Sequence, residues 1–92
     1  MKILVLGAEL AECCAWIEAN CASRCEVVAT LRERRYYLYP RQRAVSHKQI
    51  GEIHPRVAQQ HDRWMQGREY DIIIVLPSVN PELEPQYRMF VR

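Results

Sequence analysis

A chain of 92 residues holds one domain and one core, and at this size folding buries only about 60 to 65% of the unfolded surface. Hydrophobic residues make up 49% and charged residues 26%, which excludes a disordered chain, and no apolar run nears the roughly 18 residues of a membrane span. The net charge of +2 is unevenly spread: residues 1–31 carry −2, residues 32–68 carry +6 and residues 69–92 carry −2. An anionic partner would meet the middle of the chain.

The first ten residues contain one lysine and a short strand-like run, without the longer apolar stretch and small-residue cleavage site of a signal peptide. A cytoplasmic location is therefore expected. Lys2 to Leu6 is continuously apolar after the lysine and ends at Gly7, the pattern of a strand buried on both faces. From Glu9 the period changes: Leu10, Cys13, Cys14, Ile17 and Cys21 follow helical spacing. Glu26 to Leu31 reads as a second strand, so strand, helix and strand predict a right-handed parallel crossover. The cysteines offer no C-x-x-C, and two are adjacent. They read as small core hydrophobes of a reducing compartment, with neither disulfide nor metal expected.

Arg32 to Arg43 packs five arginines and three tyrosines into twelve residues. Tyr36 to Tyr39 has strand propensity, and Pro40 limits it to an edge strand or extended loop. Residues 44 to 54 are ambiguous: Ser46 and Gln49 fit a capping box. Pro55 suits a first helical position, with Val57, Ala58, His61, Trp64 and Met65 as an apolar stripe and Gly67 as its cap. Asp71 to Leu76 is the most apolar run and reads as a central or nearly central strand. Leu83, Tyr87, Phe90 and Val91 suit one face of a short terminal helix. The assembly predicted is a single α/β domain over 1–92. It has a small three-stranded parallel sheet of order 2-1-3, helices on both faces, and residues 36 to 39 as an extra edge strand.

Over residues 2 to 31 the chain resembles a Rossmann-type unit. Gly7-Ala8-Glu9-Leu10-Ala11-Glu12 stands where that family carries its glycine-rich loop. Only the first glycine is present, and two carboxylates would repel a pyrophosphate. The resemblance implies the fold but no nucleotide cofactor. Neither lysine follows a glycine in a phosphate-loop pattern, and His47, His54 and His61 are too far apart on a helix to share a metal. Open parallel sheets bind ligands beyond their strand ends, which here means Gly7, Glu9, Ser78 and Asn80. No base is placed to activate Ser78, and the nucleophile-elbow pattern is missing, so catalysis finds no support.

The Arg/Tyr segment carries the main functional expectation. Arginine forks grip phosphate or carboxylate, and tyrosine offers a stacking face. The expected site is Arg32, Arg34, Arg35, Tyr36, Tyr37, Tyr39, Arg41, Arg43 and Lys48. The expected function is a small non-catalytic module docking nucleic acid, a nucleic-acid-bound complex or an acidic protein. The alternatives are a nucleotide or small-ligand site, even an enzyme, at the strand-end rim, and a homodimer paired edge to edge through Tyr36 to Tyr39. In size and character the chain resembles the small accessory proteins of tailed bacteriophages, a general type that implies an inhibitor of a host factor.

Overall fold

The computed structural model describes residues 1–21, 25–30, 35–40 and 49–92. Their order is β1 (Lys2–Gly7), α1 (Leu10–Cys21), β2 (Cys25–Thr30), β3 (Arg35–Pro40), β4 (Gly51–Val57), a 3₁₀ turn at Arg63–Met65, β5 (Ile72–Val75), a second 3₁₀ turn at Pro81–Leu83 and α2 (Glu84–Arg88). The strands form one mixed sheet ordered β2-β3-β4-β1-β5. β1 pairs in parallel with β4 and β5, whereas β3 pairs antiparallel with β2 and β4. Among the described residues no helix is long and apolar enough to cross a membrane.

This corrects the expected three-stranded parallel sheet of order 2-1-3 on several counts. β2 does not lie beside β1; it closes a local antiparallel pair with β3, in register from Cys25↔Pro40 to Thr30↔Arg35. Residues 36 to 39 are flanked on both sides, by β2 and β4, so they offer no edge for pairing with a second copy. β5 lies at the edge of the sheet beside β1, and its Ile72 is exposed.

The largest departure is at Pro55, where a helix start is replaced by the interior of β4. The pattern that wins has period two: Gly51, Ile53 and Pro55 are buried on one face, while Glu52, His54 and Arg56 alternate with them. Proline is tolerated because of where its nitrogen points. The parallel ladder takes every second amide of β4, from Glu52 to the Met1 carbonyl (2.9 Å) through to Ala58 and the Gly7 carbonyl (3.0 Å). Alternation turns the Pro55 nitrogen to the opposite margin, which β3 has already left after the Tyr36↔Ile53 pair. The expected stripe partners then scatter: Trp64 and Met65 fall in the 3₁₀ turn, and His61 takes a left-handed φ of 51°.

Two apolar clusters lie on opposite faces. Beneath α1, Val5, Cys13, Ile17, Tyr36, Leu38, Ile53 and Leu76 pack together. On the second face Leu4, Leu6, Met65, Tyr70, Ile73, Val79 and Tyr87 form a cluster flanked by Leu83 and Phe90. Gly7 sets the approach of α1: a Cβ there would lie 2.7 Å from Cys13 Sγ. The C-terminal tail closes the edge through a Tyr70↔Val91 bridge.

Candidate functional site

The alternation of β3 divides the Arg/Tyr segment. Tyr36 and Leu38 point under α1 and are 7% and 8% exposed, so Tyr36 belongs to the core, where burial first, then its bond with Cys14, raises its pKa. Arg35, Tyr37 and Tyr39 occupy the other face and are half-buried. Among the described residues, that face's cluster includes none of Arg35, Tyr37 and Tyr39. Arg35 sits 3.8 Å from the Glu52 carboxylate. Arg32, Arg34, Arg41, Arg43 and Lys48 lie outside the described residues.

Next to this strip on β4 is a chain of polar side chains that sequence reading missed. His54 is 1% exposed. Its Nε2 lies 3.1 Å from Glu52 Oε2 and its Nδ1 lies 2.7 Å from the Tyr70 hydroxyl. A carboxylate only accepts, so Nε2 carries the hydrogen and Nδ1 accepts from the tyrosine. Burial holds the imidazole below its ordinary pKa despite the opposing pull of Glu52. Glu52 itself, against the raising effect of burial, is drawn below the usual carboxylate range by His54 and nearby cations. Burial pushes Tyr70 up to about 12. Both ring nitrogens of His54 are thus committed to structural partners, and it is poorly placed to act as a base.

Arg56 donates to both oxygens of Asp62, Nε at 3.1 Å and Nη2 at 2.8 Å. The same carboxylate accepts from the Tyr87 hydroxyl at 2.7 Å and the Trp64 amide at 3.2 Å. Burial alone would raise its pKa, but these donors hold it low. Arg56 also stacks on the Trp64 ring, 4.5 Å from its centroid, and Arg68 lies 3.8 Å from the same centroid. Arg35, Tyr37 and Tyr39 therefore adjoin a second basic and aromatic group across Glu52 and His54. The signal for β4 was present in the sequence as alternation of Ile53, Pro55 and Val57 with Glu52, His54 and Arg56, and it was masked by reading Pro55 as a helix start.

The strand-end rim is brought together only in part. Ser78 Oγ accepts from the Ala8 amide at 3.2 Å and donates to the Glu12 carboxylate, so the loop after Gly7 has its polar groups filled from within the chain. The Glu9 carbonyl accepts from the Cys13 amide. Asn80 caps the second 3₁₀ turn by accepting from the Glu82 amide at 3.0 Å. Among the described residues no group of three or more His, Cys, Asp or Glu side chains could hold a metal ion. No protein-family model, no characterised protein sequence and no solved structure matches this chain at a significant level.

Proposed function

We propose that this protein is a small non-catalytic binding module, docking single-stranded nucleic acid on the face of β3 that bears Arg35, Tyr37 and Tyr39. The observation that carries this reading is the strand alternation, which sends Tyr36 and Leu38 into the core and leaves the other three on the face outside the second cluster. Residues two apart on a strand are about 6.8 Å apart, a spacing that lets two tyrosines serve successive unstacked bases. Arg35 supplies charge for phosphate, and Arg56 and Arg68 around Trp64 continue the basic and aromatic character along the face.

The test is binding of labelled single-stranded DNA and RNA at two salt concentrations. The wild type should bind with an affinity that falls steeply with salt. Tyr37→Ala with Tyr39→Ala should weaken binding by about 1–3 kcal/mol for each base that no longer stacks on a ring, and Arg35→Glu should flatten the salt dependence. If wild type and variants alike show no binding, nucleic acid is ruled out. Capture of an acidic peptide by the same face, abolished in the same variants, would then identify a protein partner instead.

A further inference from the structure

The two parallel connections that leave β1 and β4 pass to opposite faces of the sheet. After β1 the chain enters α1, which covers one face; after β4 it runs through Arg63–Met65 to β5 and covers the other. Adjacent parallel strands whose connections diverge leave a crevice at their carboxyl ends, the usual position of a ligand in an open α/β sheet. A cavity of about 270 Å³ opens beside this point, at the carboxyl end of β4 on the margin that β3 has left, lined by residues that include Leu10, Arg35, His54, Arg56, Val57 and Trp64. Leu10, just after the loop that follows Gly7, forms part of its wall, whereas Ser78 does not line it.

The lining suits a compact ligand with one anionic end. Asp62 holds the Arg56 guanidinium through Nε and Nη2, which fixes the fork and leaves Nη1 as a donor that need not be reorganised on binding. The Val57 amide lies on the margin of β4 that β3 has left, by the alternation that turns Glu52 and Ala58 toward β1. Arg35 adds a second positive charge from β3. Leu10 and Trp64 supply an apolar wall. Strand addition at this margin is disfavoured, because Pro55 has no amide to donate.

We infer that this crevice binds a small phosphate monoester, with Arg35, Arg56 and the Val57 amide receiving its oxygens and its apolar body lying against Leu10 and Trp64. The crevice shares Arg35 and Arg56 with the proposed nucleic-acid face but does not rest on that reading, because Tyr37 and Tyr39 do not line it.

Trp16→Phe leaves Trp64 as the sole tryptophan, and its fluorescence can be titrated with phenyl phosphate at constant ionic strength. A saturable change is expected, weakened about tenfold or more by Arg35→Gln, as for loss of a charged hydrogen bond, and abolished by Leu10→Phe, which fills the crevice. Tyr37→Ala with Tyr39→Ala should leave it unchanged. The inference is overturned if phenyl phosphate has no effect up to about 10 mM, a range that would still reveal millimolar affinity. It is equally overturned if benzyl alcohol binds as well as phenyl phosphate, or if Arg35→Gln and Leu10→Phe both bind as the parent does.

Discussion

The β4-β1-β5 half of the sheet and the β2-β3 half are built on different plans. In the first, parallel strands are covered on both faces, and Leu4, Val5 and Leu6 of β1 are fully buried in succession. In the second, β2 and β3 pair antiparallel, Tyr36 and Leu38 of β3 pack under α1, and among the described residues the opposite cluster includes neither Tyr37 nor Tyr39. The parallel half therefore spends its sequence on packing, and the antiparallel half has alternate positions to give to polar and aromatic residues. Covered and half-covered faces thus meet within one sheet of five strands.

Substitutions can break this comparison. The largest loss is expected from Asp62→Ala, which strands the partly buried Arg56 and the Tyr87 hydroxyl. Urea unfolding should show about 3–5 kcal/mol less stability. Leu4→Ala in the covered half should cost about 2–5 kcal/mol, while Tyr37→Ala in the open half should stay within about 1 kcal/mol. Equal costs would mean that the two halves are not differently covered. Between these lies Gly7→Ala, whose methyl meets Cys13 Sγ at 2.7 Å. It should lose about 1–3 kcal/mol by overpacking, and Cys13→Ala in the same chain should restore part of that loss.

Acid and base sharpen the same contrast. His54 has a folded pKa below its ordinary 6.5, so the unfolded chain takes up a proton first. Stability should fall as pH drops from about 6.5 toward that lowered value, and His54→Gln should flatten this part of the curve. Tyr70 and Tyr87, both at about 12 when folded against an ordinary 10.0, stabilise below 10. That contribution disappears as pH rises from about 10 to 12. Smallest of all, changing the half-exposed Arg35 to Gln should hardly move the unfolding midpoint.

What could be read from sequence follows the same division. β1 and α1 were legible because an unbroken apolar run and a 3.6-residue stripe each admit one interpretation. β5 was legible as a strand, but apolarity on both faces reports cover and not neighbours. Here that cover comes from Tyr70, Leu83 and Phe90 beyond the strand. β2 was found and mispaired: its partner, seven to nine residues on at Tyr36↔Ala29 and Tyr37↔Val28, outcompetes a crossover to β1. At β4 a local rule about proline misled, because only the ladder reveals which margin its nitrogen faces. The Arg/Tyr segment stood out by composition, but the side to which each residue turns depended on β3 being a strand with α1 beneath it.

The register of β1 also sets an order of assembly. Lys2 to Gly7 meets partners at Glu52 to Val57 and at Ile72 to Val75, whereas β2 and β3 close within sixteen residues, from Cys25 to Pro40. Long-range parallel pairing is slow because its loop entropy must be given up before any pairing forms. The β2-β3 pair can therefore form early during synthesis, while β1, the most deeply buried strand, waits for β4 and β5.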